Sequence, residues 1–393
     1  MSERDCDIAI VGGGLAGGLT ALALADSRPG VSVRLIEAGP TLGGQHRWSW
    51  FASDLSPEGE ALMARFQPMQ WADGYEVRFP ERRRHVPTPY FSLTSAEFAA
   101  GLERMLPRGT ILTVSRAAAL DAKGVTLADG ERIAAGTVID CRGFAPTPHL
   151  SGGWQVFLGR RLRTERPHGV VRPILMDATV GQTRSYRFVY VLPLGERELL
   201  VEDTYYQNQA VLDRDGLERR LKRYIGRSGW TGEAVDVETG ILPVVTGGDF
   251  AAWQQERRID GVARAGAHAG FLHPLTSYTL PFAVETALAV ASAADLSGPR
   301  LAAMLDTRAQ AHWAATRFYR VLGSMLFGAA RASRRWQIFD RFYRLPTPLI
   351  ERFYAARSTR ADRLRIVCGK PPVSPLRALG ALVTSRPALQ EAE

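Results

Sequence analysis

The acids Glu202 and Asp203 fall within the run LLVEDT at residues 199–204, where an apolar strand should be buried. Side chains alternate along a strand, so Leu200, Glu202 and Thr204 share one face while Val201, Asp203 and Tyr205 share the other. One acid of the pair can therefore point into a given pocket. Burial raises the pKa of such an acid and keeps it protonated near neutral pH. A protonated carboxylic acid in an apolar pocket is what protonation of an alkene requires. The alternative is a strand end emerging into solvent, where the two acids do no chemistry.

A second pattern lies near the start of the chain. Asp7–Val11 (DIAIV) reads as a buried strand, and GGGLAG follows it directly. Gly12, Gly14 and Gly17 hold the G-x-G-x-x-G spacing, residues 15–25 read as a helix rich in Ala and Leu, and residues 31–36 as a second strand closed by Glu37. Gly12 permits the tight turn, Gly14 lets a pyrophosphate approach the backbone, and Gly17 lets helix and sheet pack closely. The phosphates would sit at the helix N-terminus and Glu37 would accept from a ribose hydroxyl. The expected dinucleotide cradle is thus Gly12, Gly13, Gly14, Leu15, Ala16 and Gly17, with Glu37.

The bulk numbers exclude several classes. The chain has 393 residues, 46% hydrophobic and 23% charged, which excludes a disordered or collagenous protein. It has no run of 18 apolar residues, so a spanning helix is not expected. MSERDCD leads straight into a strand and does not read as a signal peptide, and Cys6, Cys141 and Cys368 fit neither a disulfide framework nor a zinc site. A cytoplasmic setting is expected. His46, His268 and His273 are scattered, so no metal site is expected, and no G-x-S-x-G elbow exists.

The formal charge is +9, unevenly spread. Residues 300–377 hold 16 basic and 4 acidic side chains, whereas residues 1–299 are close to neutral. Between His312 and Arg357 arginines interleave with Trp313, Phe318, Tyr319, Phe327, Trp336, Phe339, Phe342, Tyr343, Phe353 and Tyr354. An apolar and aromatic face backed by arginines suits a membrane surface. The alternative is a solvated helical domain with an ordinary aromatic core. No nucleic-acid motif accompanies the arginines, and nucleic acid is not expected as a partner.

The elements that position these groups follow from the same patterns. Tyr186–Leu192 and Leu199–Tyr206 flank a turn at residues 193–197 and read as a hairpin, and residues 213–226 as an amphipathic helix. Residues 133–144 read as a strand returning to the nucleotide sheet. Residues 262–281 read as a strand, a Gly-rich loop and a helix start near Pro281. The expected class is α/β: a Rossmann-type dinucleotide-binding domain, an inserted antiparallel β-sheet substrate domain and a C-terminal helical region. The expected boundaries are 1–150 and 258–299 for the nucleotide domain, 151–257 for the substrate sheet, 300–377 for the basic helical region, and 378–393 for a tail.

The glycine pair Gly43–Gly44 resembles FAD-dependent proteins more than NAD dehydrogenases. In flavoproteins of this type the loop within 262–281 meets the flavin end, which brings in Gly266, Pro274 and Thr276. Ala267 stands where the flavoprotein G-D-A motif has Asp, a departure that argues against ordinary hydroxylases. Across nearly its whole length the chain resembles the bacterial-type lycopene β-cyclases. The matching segments are GGGLAGGLTALALA at 12–25, GGQHRWSW at 43–50, LLVEDT at 199–204, HPLTSYTLPFAV at 273–284, and RFYRLP, ERFYAARST and DRLRIVCGKPP within 341–372. Ser277 departs from the pattern, since relatives commonly have Gly before Tyr278.

The resemblance implies a redox-neutral, acid-catalysed closure of the linear ends of lycopene to β-ionone rings, giving β-carotene through γ-carotene. It implies reduced FAD, kept reduced by an external donor such as NAD(P)H. It makes Glu202 the favoured acid, with Asp203 orienting or tuning it. It also implies a carotene substrate dissolved in the membrane and a peripheral enzyme on the cytoplasmic face, docked through residues 300–377, with Arg331, Arg334, Arg335, Arg341 and Arg344 in contact. The rivals are an isoprenoid reductase of the geranylgeranyl reductase type and a non-catalytic flavoprotein-fold escort of prenylated proteins. Oligomeric state is left open.

Overall fold

The apolar run after Asp5 forms a strand, Cys6–Val11, with four of its six side chains buried in succession, as a strand covered on both faces requires. In the computed structural model, which describes residues 4–182, 185–368, 380 and 386–390, this strand is central to a seven-stranded sheet. It pairs in parallel with Val33–Ile36 on one side and Arg132–Asp140 on the other. Val262–Arg264 then returns to lie parallel to Arg132–Asp140. The crossover helix Leu15–Ser27 buries Leu15 through Leu24 without a break, against the helix Leu280–Ala291 and the sheet. That uninterrupted burial explains its Ala- and Gly-rich composition, because small side chains let a helix approach both neighbours.

The second sheet has eight strands and is built around the long strand Thr147–Thr164. Gly232–Gly248 flanks it on one side and Glu198–Gln207 on the other, both antiparallel. Tyr186–Pro193 completes the expected hairpin with Glu198–Gln207. The helix Arg214–Arg227 covers the outer face through Leu217 and Leu221.

The expected boundaries need two corrections. Strands Tyr75–Phe79 and Arg82–Val86 lie inside residues 1–150 but extend this second sheet, with Tyr75–Phe79 parallel to Ile174–Asp177. Ala388–Leu389 lies in the expected tail yet pairs with Thr147–Thr164. In both cases an open strand edge found a partner far away in sequence, which no local pattern announces. A third sheet, from Arg47–Phe51, Met69–Trp71 and Tyr90–Thr94, sits beside them.

The C-terminal region is helical: Gly298–Ala315, Arg317–Gly328, Trp336–Phe342, Thr347–Tyr354 and Arg360–Val367. Its aromatics are not presented to the surface as a membrane face would need. Tyr319, Phe327, Tyr343, Phe353 and Tyr354 are buried in one core with Tyr75, Tyr90, Tyr186 and Tyr206 of the sheets. Trp313 stacks on Phe250 with 4.6 Å between centroids, and Phe339 on Tyr186 with 4.1 Å. Arginines follow them inward. Arg320 lies 3.6 Å from the Trp313 ring centroid, and Arg335 is buried, donating to the Phe327 carbonyl. Aromatic burial won because these helices close over the sheet that carries the hairpin. Residues 369–377, with the GKPP part of the matching block, lie outside the described residues, as do 378–379, 381–385 and 391–393 of the expected tail.

Candidate active site

Strand Cys6–Val11 delivers the chain to Gly12, whose φ of 103° only glycine adopts readily. The helix begins at Gly14, with no side chain capping it and no acid in its first turn. Its N–H groups therefore point unpaired at the space in front of them. A Cβ at Gly14 would meet no protein atom within 4 Å, so this position opens outward. A Cβ at Gly17 would lie 2.0 Å from the Gly12 carbonyl oxygen, so this position is closed by packing.

Glu37 accepts from the Gly13 N–H at 2.8 Å and the Gly39 N–H at 2.7 Å. It thereby ties the second strand to the glycine turn, and its remaining lone pairs are available to a ribose. Gly13 is thus a support for the cradle rather than part of its wall, and so is Gly17.

The glycine turn opens into a cavity of about 1160 Å³, above the roughly 300–1000 Å³ of an ordinary small-molecule site. Gly12, Gly14, Leu15, Ala16, Glu37, Gly43, Gly44, Gly266 and Thr276 line it, with Gly266 packed against Ala16. Pro274 does not: its carbonyl accepts from Val245 N–H, and the residue faces a separate small void. The correction is one of direction, because His273 turns the loop at this point. His273 is fully buried, with Nε2 bonded to the Phe353 carbonyl and Nδ1 accepting from the Leu275 and Thr276 N–H groups. Burial pushes its pKa down to about 3, so it is a neutral pin, not an acid.

Ser277 adopts φ 62°, a left-handed conformation that explains why glycine suits the position. Its hydroxyl donates to the Pro243 carbonyl at 2.7 Å, which offsets the strain. Opposite Val11, beside the glycine turn, Asp140 takes hydrogen bonds from Arg142 and pairs with His268 at 3.2 Å. Burial would raise its carboxyl, but His268 and Arg142 hold it well below the usual range.

Glu202 lines the same cavity from the second sheet, alongside Tyr190, Phe188, Leu200, Tyr206 and Phe157. Thr204 donates to its Oε1 at 2.7 Å. Burial and the neighbouring Glu238 carboxylate together push its pKa up to about 8. It is a protonated acid at neutral pH, as strand alternation and burial predict. Hydroxyls extend from this wall: Tyr90 contacts Tyr190 at 3.0 Å and Tyr278 at 3.4 Å, and Ser49 contacts Tyr190 at 3.3 Å and Ser92 at 3.0 Å.

Asp203 is elsewhere. It is 0% exposed on the other face of the sheet, gripped by Arg187 at 2.7 and 3.0 Å and approached by Arg220 at 3.6 Å. Burial raises its pKa, and the two guanidiniums pull against that rise. It does not line the cavity, so it holds the sheet through its arginines and acts on Glu202 only through its charge, which raises the Glu202 pKa. Neighbours in sequence cannot share a face of a strand.

Sequence reasoning missed Glu238, Arg47, Tyr190 and Tyr278, all in the cavity wall. Alternation along residues 232–248 puts Asp236, Glu238 and Gly240 on one face, but nothing in the sequence says which face is covered. Among the described residues no cluster of His, Cys, Asp and Glu is arranged to hold a metal ion.

The glycine cradle and Glu202 share one cavity, and the Rossmann-type nucleotide sheet joined to a second, mostly antiparallel sheet is a fold that other solved structures share. The fold matches p-nitrophenol 4-monooxygenase from Pseudomonas putida with a TM-score of 0.62 at 16% identity, over 91% of this chain and 100% of that one. It matches a geranylgeranyl bacteriochlorophyll reductase-like protein from Thermoplasma acidophilum at 0.61 and 15%, over 93% and 96%. A Klebsiella pneumoniae HpxO variant complexed with FAD matches at 0.59 and 15%, over 90% and 99%.

In sequence, residues 7–380 match the model for the lycopene cyclase protein family. The lycopene β-cyclase of Pseudescherichia vulneris is 43% identical over 93% of this chain and 94% of its own. Those of Paracoccus and Pantoea ananas are 43% and 41% identical, over 98% and 96% of this chain and 99% and 98% of theirs. The chain belongs to the lycopene cyclase family.

Two predictions come from this geometry. Gly14→Val should keep the thermal midpoint but lose bound FAD by absorbance, whereas Gly17→Val should lower the midpoint itself. Asp203→Asn leaves Arg187 uncompensated and should cost about 3–5 kcal/mol in denaturant unfolding. A loss below 1 kcal/mol would mean that the pair is not structural.

Proposed function

We propose that this protein is a lycopene β-cyclase in which Glu202 is the proton donor. The observation that carries the reading is the Glu202 carboxyl, held protonated to about 8 at the apolar wall of the cavity onto which the glycine cradle opens. The relatives at 41–43% identity, named as lycopene β-cyclases, supply the substrate.

Glu202 gives its proton to C2 of the terminal C1=C2 bond. The C5=C6 pair attacks the cation at C1, and loss of the C6 proton leaves the β-ring. Closing one end gives γ-carotene and closing the second gives β-carotene. Proton delivery by a placed acid contributes about 10²–10⁴-fold. Tyr190, Tyr278, Phe157 and Phe188 ring the cavity, and aromatic faces stabilise a cation by roughly 0.5–2 kcal/mol each. These residues also exclude water, which would otherwise trap the cation.

The residues present fit FAD. Gly14 and Gly143 leave open space where a Cβ would project, and both line the cavity. The uncapped helix starts at Gly14 and Thr279 direct free N–H groups toward it. Gly12, Gly14, Glu37, Gly43, Gly44, Gly266 and Thr276 would hold the cofactor. When bound and reduced, by a donor such as NAD(P)H, it would supply negative charge that favours a cation, with no net electron transfer.

The substrate stays in a bilayer, so the enzyme docks at the surface. Among the described residues no helix is long and apolar enough to cross a membrane. With the aromatics turned inward, the surface that supports docking is the helix Arg360–Val367. There Leu364 (62% exposed) and Val367 (46%) stand among Arg360, Arg363 and Arg365. Arg331 and Arg334 are exposed as well, whereas Arg344 is held by Asp340 and Arg341 by the Cys368 carbonyl. Basic side chains near anionic headgroups contribute about 1 kcal/mol each.

Glu202→Gln should abolish ring formation while the folded protein keeps its flavin. Wild-type activity should fall as pH rises through about 8, where Glu202 loses its proton. The product should keep the mass of lycopene; a gain of two hydrogens per reduced double bond would favour a reductase instead. Replacing Arg331, Arg334, Arg360 and Arg365 with Gln should weaken binding to phosphatidylserine liposomes at least about tenfold. Unchanged binding would leave the charge without a membrane role.

A further inference from the structure

Cyclisation needs a base as well as an acid, and the sheet places a second carboxylate beside the first. Strand register sets Tyr190 opposite Glu202, Glu202 opposite Gly159, and Gly159 opposite Glu238. Residues directly opposite one another in antiparallel strands project from the same face, so Tyr190, Glu202 and Glu238 form one row across four strands. Gly159 supplies no side chain between the two acids, and a Cβ there would lie 3.4 Å from the Cβ of Glu202. The strands carrying the acids are two spacings apart, roughly 10 Å. The row thus places a carboxyl group on either side of Gly159. Both acids line the cavity.

Their settings differ. Glu202 is half-buried, and its Oε1 accepts from the Thr204 hydroxyl at 2.7 Å. Glu238 is half-buried too, and its Oε1 accepts the Arg47 N–H at 3.1 Å. The charged groups facing Glu238 are Arg47 from the adjoining sheet, Asp236 on its own strand and Glu202 across Gly159. Glu202 is faced by Glu238, Asp203 and Arg47, with Tyr190 opposite it on the neighbouring strand. Burial raises the Glu238 pKa, and the Arg47 charge and N–H oppose that rise; the hydrogen bond from the Arg47 N–H favours the carboxylate form of Glu238, and among the described residues Glu202 has no such bond.

We propose that Glu238 is the base that takes the C6 proton. The inference rests on Glu202 being the acid. Glu202 loses its proton to C2, and the C5=C6 π pair forms the C1–C6 bond. Glu238 then accepts the C6 proton, whose bonding pair becomes the new C5=C6 bond. Transfer of that proton from Glu238 to Glu202 restores both groups, so no proton need be exchanged with solvent and no oxidant is consumed.

The test measures β-ring formation from lycopene against pH in the FAD-loaded protein for wild type, Glu238→Gln, Glu238→Asp and Glu202→Gln. Wild type should show a low-pH limb from Glu238 and a high-pH limb from Glu202. Glu238→Gln should form β-rings about 10²-fold more slowly. It should lack the low-pH limb, and its residual product should carry rings that lost a proton from C4 or from the methyl on C5. Glu238→Asp should keep the low-pH limb at reduced rate, and this variant decides the matter if Glu238→Gln does not fold. A Glu238→Gln rate within threefold of wild type with the low-pH limb intact would overturn the proposal, as would a Glu238→Asp profile without that limb. Full activity in Glu202→Gln would instead sink the assignment of the acid, a separate outcome.

Discussion

The alternation of a single strand governs the site. At Glu202 and Asp203 two carboxyl groups leave the backbone one residue apart and enter opposite environments. Glu202 enters the cavity, where burial and a like charge favour the neutral acid. Asp203 enters the far side, where Arg187 and Arg220 meet it. The second sheet is organised around that split: the helix Arg214–Arg227 exists on one face to supply Arg220 and cover Asp203, and the C-terminal helices close part of the other. A register slip of one residue would exchange the two acids, placing Asp203 in the cavity without its arginines and Glu202 against Arg187 and Arg220.

Enclosure comes from elements far apart in the chain. The loop Leu272–Thr279 is held between lobes by His273, which reaches the Phe353 carbonyl of a C-terminal helix and bonds back to its own loop. Ser277 accepts a left-handed backbone because its hydroxyl finds the Pro243 carbonyl on the strand that also carries Glu238. The nucleotide lobe, the acid-bearing sheet and the C-terminal helices therefore meet at one loop. The same contacts that shape the cavity draw Tyr319, Tyr343, Phe353 and Tyr354 inward.

The nucleotide lobe was legible because its signals are local. Strand, glycine turn, helix, second strand and terminal acid lie within 31 consecutive residues, and the role of each glycine follows from its own backbone. The hairpin around Glu202 was legible for a similar reason, since period-2 alternation and a short turn suffice to pair two neighbouring strands. Pro274 and Asp203 were misplaced because the direction in which a loop or strand face points depends on what packs against it. The aromatic-rich helices misled in the same way: interleaved arginines and aromatics look alike whether the rings face lipid or the neighbouring sheet.

By itself the sequence determined the nucleotide-binding topology, the family, and the fact that only one of Glu202 and Asp203 could face a given pocket. Each follows from spacing along the chain or from the geometry of one strand. Tertiary structure alone decided which acid was kept neutral, that Glu238 stands across Gly159 from it, and that the C-terminal aromatics lie inside. These depend on desolvation and on charges brought close by pairing strands some forty and eighty residues apart. Burial and long-range electrostatics belong to the assembled surface, and no stretch of the chain carries them before it folds.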